Sequence, residues 1–285
     1  HPTCIHATSV SCLETAVALQ RILGLPLLVT VDTTEDDDLA FVADVLATNR
    51  VAAVMSDRIR NALLSRSNSP AGGPELVHRI RPGIYVQERA QPPFEPGAPI
   101  SILVLEHATR GRTFEMILRG VADLLQDGID TMLFFIDAGP AETRLRRLAC
   151  RLQIHEHVTF PGRFARWPQT LNTADIVILP QPHKRIRIYP LEALGSGTLV
   201  AAAAGHCYDT ISDGKTGLEF DPRQEQGLSD KLRSALKDPH LARSLAYAGR
   251  EKIRRDHSVS QMVSAYMRIY AQLAKARPPQ LPTLP

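Results

Sequence analysis

The chain has 285 residues, with 33 basic and 30 acidic side chains for a formal charge of +3, and is 44% hydrophobic and 22% charged. That composition excludes a disordered tail, a collagen-like fibre and a coiled coil, and the length gives room for about two domains at roughly 150 residues each. So small a net charge, with only 5% aromatic residues, gives no ground for a nucleic-acid partner.

In chain order, residues 12–23 have helical spacing, 27–31 form an apolar strand and 39–48 a second helix. Residues 51–55 read as a strand, 58–64 as a helix and 78–81 as a short strand. A Ser-, Asn-, Gly- and Pro-rich stretch at 65–74 reads as a loop, and Pro92, Pro93, Pro96 and Pro99 mark 87–99 as a linker. Beyond it the pattern alternates: strand 102–105, helix 113–126, strand 132–136, helix 141–152, strand 157–160, helix 166–173, strand 176–179, helix 190–195 and strand 199–203. Helices at 224–237, 239–256 and 259–274 close the series. Continuous apolar strands alternating with helices predict parallel sheets covered on both faces.

Cys4, Cys12, Cys150 and Cys207 include no Cys-x-x-Cys pair and no metal-ligand spacing, so they read as thiols of a reducing compartment. The longest nearly apolar stretch, 22–31, contains Gly24 and Pro26 and falls short of the ~18 residues that span a bilayer. No charged leader with an apolar run opens the chain, so no signal peptide is expected.

In a doubly wound sheet, ligands bind beyond the carboxyl ends of the strands, where loops lead into helix N-termini. Three such places carry suitable chemistry. The loop 106–113 has His107, Arg110 and Arg112 beside a helix start, a phosphate cradle or a solvated basic loop. The turn 137–140 carries Gly139 and Pro140. The segment 184–197 places Glu192 shortly after Pro190, where a carboxylate either complements the helix dipole or holds the two hydroxyls of a ribose. Arg144, Arg147 and Arg151 recur at helical spacing as a solvated face or one for an anionic membrane, and Trp167 reads as core or rim.

Seven stretches occur in an order that resembles family 4 glycosyltransferases, which have the two-domain GT-B fold. They are 137–140, 158–162, 173–180, 190–194, 197–200, 213–218 and 248–251. Upstream, 24–31 and 80–84 are similar to the later part of that family's first domain, whose opening strands are not in this chain.

The resemblance implies an α/β fold of two Rossmann-like doubly wound domains, the N-terminal one incomplete. It divides the chain into a partial acceptor-side domain at 1–90, a linker at 91–99 and a nucleotide-sugar-binding domain at 100–257. A terminal helix at 258–276 would cross back to the first domain, and 277–285 would be a disordered tail. The implied function is a hexosyltransferase that moves a sugar from a nucleoside-diphosphate-sugar donor to an unidentified acceptor with retention, with no obligatory metal or other cofactor. A glycan or lipid-linked acceptor, a cytoplasmic location and peripheral contact with the inner membrane face fit this implication; the oligomeric state does not follow from it.

By position, Glu192 is the second glutamate of the family's pair and would hold the ribose. Arg112 stands where a lysine meets the diphosphate and His107 where the family has an arginine; a one-residue shift puts Arg110 in the lysine's place. Gly139 and Pro140 would border the base. Lys184 stands in the catalytic position of the family's first glutamate, inverting its charge, and Asp32 stands where a histidine is common. These replacements keep a rival open, a non-catalytic glycosyltransferase-like binding or scaffold protein. A Rossmann dehydrogenase is disfavoured, because no strand precedes the spaced glycine triplet.

Overall fold

The computed structural model describes residues 2–47, 50–66, 76–86, 92–106, 111–162 and 171–275. The expected tail, His107, Arg110, Trp167 and most of the helix expected at 166–173 lie outside the described residues.

Two wholly parallel sheets are present among the described residues. The first has β1 (Ile5–Ala7), β2 (Leu27–Val31), β3 (Val51–Val54) and β4 (Val77–Arg79) side by side in that order. They are joined through α1 (Leu13–Leu23), α2 (Asp36–Leu46) and α3 (Asp57–Leu64). Every residue of β2 is buried, as expected for an apolar run in a sheet covered on both faces. Helix α2 begins at Asp36, ahead of its apolar spacing, because Asp36, Asp37 and Asp38 occupy the first turn, where carboxylates complement the N-terminal dipole. Ser56 caps α3 by accepting from the Ile59 amide.

The second sheet contains β5 (Ile100–Val104), β6 (Thr131–Phe135), β7 (Val158–Thr159), β8 (Ile176–Leu179), β9 (Leu199–Ala203) and β10 (Leu218–Phe220). Its order is β10-β9-β8-β5-β6-β7, so the direction of winding reverses between β5 and β8. Around it lie α4 (Gly111–Gln126), α5 (Glu142–Arg151), α6 (Ile188–Gly195), α7 (Gly227–Leu236) and α8 (Pro239–Asp256). The three-residue strands β1 and β10 are absent from the sequence expectations: each sits at a sheet edge with a polar residue, His6 or Glu219, at its centre.

The chain passes between the sheets twice, both times next to β4. The first passage leaves β4 through residues 80–86, and on the far side buried Phe94 plugs the second core; its amide donates to Asp175 Oδ1 at 2.7 Å and its carbonyl accepts from Arg243 at 2.8 Å. The second is at His257, whose Nδ1 donates to the Pro82 carbonyl at 2.9 Å while the Ile84 amide donates to the His257 carbonyl at 2.8 Å. From there α9 (Val259–Lys275) lies on the first sheet, with Ile269 and Leu273 packed against Leu28, Ala53 and Ile80. Tyr266 and Tyr270 reach Thr30 Oγ1 at 2.9 Å and His6 Nδ1 at 2.7 Å.

Helices α6 and α8 approach so closely at Gly249 that a β-carbon there would stand 2.8 Å from Leu194 Cδ2 and 2.9 Å from the Thr216 carbonyl oxygen. Gly249→Ala should therefore destabilise the fold by about 1–3 kcal/mol, overriding its gain in helix propensity. Gly120→Ala, whose nearest neighbour would be Ser229 Cβ at 3.5 Å, should show only the propensity gain. Urea unfolding of the two variants beside the parent checks both signs.

Candidate active site at the seam between the sheets

Parallel strands deliver their carboxyl ends to one edge, and here the two edges meet. Residues after β2 touch the loop after β8, residues after β3 touch the loop after β9, and residues after β4 touch Asp209 and His257. The switch point between β5 and β8 opens onto this seam, the place where such sheets hold ligands.

Glu106 follows β5 and is only 8% exposed. Its Oε1 is in very short contact with His183 Nε2 and accepts from the Tyr189 hydroxyl at 3.2 Å. His183 Nδ1 lies 3.3 Å from the Tyr208 hydroxyl, which accepts from the Arg187 amide at 3.0 Å. Burial, reinforced by nearby Glu106, pushes both phenols up, well above the ordinary tyrosine range, so they act as neutral hydroxyls. The network ties the strap at residues 183–187 to the second sheet; the Cys207 amide adds a bond to the His183 carbonyl at 2.8 Å.

Glu192 lies on α6, and the structure corrects its expected place. The helix starts at Ile188, ahead of Pro190, and its first turn carries no acidic residue. The N-terminal dipole therefore does not account for Glu192. Its Oε2 is buried and finds no hydrogen-bond partner among the described residues, and burial raises its pKa above the ordinary carboxylate value. An oxygen in that state is costly unless something bound there donates to it.

The other expected site residues spread around the same edge. Arg112, in the first turn of α4, is exposed and lines a cavity of about 140 Å³ with Glu115, Arg119, Arg223 and Glu225. Among the described residues neither Glu192 nor Lys184 lines that cavity. Gly139 and Pro140 follow β6 in a tight turn where Asp137 and Gly139 both take left-handed backbone angles (φ 62° and 58°). The Lys184 side chain is exposed while its carbonyl accepts from the Thr34 amide at 2.7 Å. On α5, Arg144 pairs with Glu115 at 2.5 Å and Arg146 with Glu142 at 2.7 Å, leaving Arg147 and Arg151 exposed.

Sequence reasoning passed over His183, Tyr189, Tyr208 and His206. The only signal for them is the nearness of His183 and Tyr189 to Lys184 and Glu192 along the chain.

Two Rossmann-like units facing across their carboxyl edges define the GT-B architecture, and three comparisons with known proteins agree with it. The profile of the family described as glycosyl transferases group 1 matches residues 87–252, over half of the chain, and the chain belongs to that family. It is 30% identical over 116 residues to a glycogen synthase of Mycobacterium tuberculosis, spanning 40% of this chain and 28% of that protein. It superposes on a sucrose-phosphate synthase from Thermosynechococcus elongatus with a TM-score of 0.78 at 20% identity, covering 96% of this chain and 74% of that one. With Anabaena Alr3699/HepE, solved in complex with UDP and glucose, the TM-score is 0.76 at 14% identity, covering 95% and 78%. No helix among the described residues is long and apolar enough to cross a membrane.

The seam also carries a pH dependence. His206 is buried beneath Arg58 NH1, with Glu219 Oε1 3.4 Å from its Nε2 and His183 and Tyr208 nearby. Burial first, then the positive charge of Arg58, push its pKa down to about 3. Burial likewise lowers His257. An unfolded histidine titrates near 6.5, so this stability is complete above about pH 6.5 and drains away as pH falls toward about 3, where the unfolded chain takes protons that the fold refuses. Denaturant midpoints should thus fall between pH 7 and pH 5. His206→Asn should flatten that slope by up to ~1.4 kcal/mol per pH unit, and an unchanged slope would mean that His206 titrates normally.

Proposed function

We propose that this protein transfers a hexose from a nucleoside-diphosphate sugar to an acceptor hydroxyl, with retention of configuration at the sugar. The observation that carries the reading is Glu192 Oε2, a buried carboxylate oxygen without a partner among the described residues, on the helix that follows the switch-point strand β8. The two adjacent hydroxyls of a ribose are donors suited to such a carboxylate. Arg112 and the amides that open α4 would meet the diphosphate, joined by His107 or Arg110 from the preceding loop, and the turn at Gly139 and Pro140 would border the base. Positive charge and helix N-termini at that point stabilise the departing diphosphate as its charge develops.

Lys184 shapes the rest of the chemistry. A cation where positive character develops on the donor sugar raises the barrier unless an anionic group of donor or acceptor offsets it. One observation favours the second reading, a binding protein without turnover: the backbone around Asp32 and Lys184, two replaced family positions, is committed to holding the sheets together.

Calorimetric titration of the chain and of Glu192→Ala with UDP, GDP and ADP tests the donor site. One nucleotide should bind, and loss of the charge-assisted bonds from Glu192 should weaken it by about tenfold to a hundredfold. Absence of binding by all three to the folded chain contradicts the reading. Sugar transfer that disappears in Glu192→Ala rejects the binding-protein alternative.

A further inference from the structure

Asp32 leaves β2 as a carboxylate only 8% exposed, and a charge so placed requires a counter-charge. The other sheet supplies it. Arg185 NH1 donates to Asp32 Oδ1 and Oδ2 at 2.8 and 2.9 Å and to Ser9 Oγ at 3.2 Å, while NH2 reaches Asp38 Oδ2 at 2.7 Å. Backbone bonds flank this cluster on both sides: the Thr34 amide donates to the Lys184 carbonyl and the Ile186 amide to the Asp32 carbonyl, each at 2.7 Å. Thr33 and Arg185 thereby face each other as an antiparallel bridge between two otherwise parallel sheets.

The position along the edge gives this contact its meaning. Both passages of the chain between the sheets adjoin β4, so a hinge between the sheets lies on that side. Asp32 lies at β2, two strands and so about 10 Å farther along the edge. The strap at residues 183–187 is held on its other side by His183 and Glu106. A fork of charge far from the hinge, gripping a strap anchored beside the switch point, closes the edge over the site.

We infer that Arg185 is an interdomain lock: its ion pairs with Asp32 and Asp38 hold the seam shut, and they must break before the edge can open to admit a ligand. Asp32 and Lys184, which each depart from the family pattern, then lie on the two halves of one device, Lys184 beside Arg185 on the strap. The lock does not depend on the donor reading, because a closed seam is a property of the chain alone.

Amide hydrogen exchange on the chain without any nucleotide tests it. The Thr34 and Ile186 amides, which bond across the seam, should exchange about tenfold faster in Arg185→Met, a discounted figure because Arg185 is partly exposed. Arg185→Lys, which keeps the charge without the fork, should fall between the two. Asp38→Asn, which removes a partner and leaves Asp32 paired, should accelerate the same two amides by a smaller factor. Amides inside the strands, such as Val29 and Val177, should keep the parent rates. Unchanged rates at Thr34 and Ile186 in Arg185→Met overturn the lock. So does equal acceleration at the strand amides in both Arg185→Met and Asp38→Asn, which would mark a general loss of stability.

Discussion

Everything at the seam depends on one constraint: both sheets are parallel throughout, so each presents a single edge of strand ends, and the two edges are pressed together. Loops at such an edge carry unpaired backbone and charged groups that the opposite edge must satisfy. The contacts run in register with the first sheet. After β2 the partner is Arg185; after β3, Ser56 donates to the Cys207 carbonyl at 2.8 Å; after β4, Arg81 reaches Asp209 at 2.8 Å and Pro82 accepts from His257. One apolar cluster runs through the same region, joining Val31 and Val54 of the first sheet to Val177, Tyr208 and Ile211 of the second unit. Closure is thus secured by polar pairs at the rim and continuous packing beneath them.

Set within that closed edge, two carboxylates have opposite circumstances. Glu106 is fully engaged by His183 and Tyr189 and serves to anchor the strap. Glu192 has a buried oxygen that finds no hydrogen-bond partner among the described residues. Lys184, exposed on the strap, is held in place by its backbone rather than by its side chain.

The core was legible in the sequence because β8 and β9 are short, uninterrupted apolar runs and β2 is broken only by Thr30, each run bounded by Gly or Pro, which periodicity reads well. Edge strands were legible only in part: β4 and β7 were expected at 78–81 and 157–160, whereas β1 and β10, three residues with a polar centre, carry no period and appear only once a neighbour supplies their hydrogen bonds. Glu192 was singled out by its place in a family pattern, but the start of its helix lay before Pro190, and the dipole argument failed with it. The pairing of Asp32 with Arg185 could not be read at all. The residues are 153 positions apart, and each alone is an ordinary charge on a loop. Family comparison marked Asp32 as a departure, and Lys184 beside Arg185 as another; only the fold shows that the two loops answer each other.

The most direct test of the account is a crystal structure of the chain soaked with the nucleotide that it binds best. The ribose hydroxyls are expected within hydrogen-bond distance of Glu192 Oε2, with the diphosphate toward the start of α4. A nucleotide seated instead wholly in the arginine-lined cavity beside Arg119 and Arg223, with Glu192 still unpartnered, would contradict it.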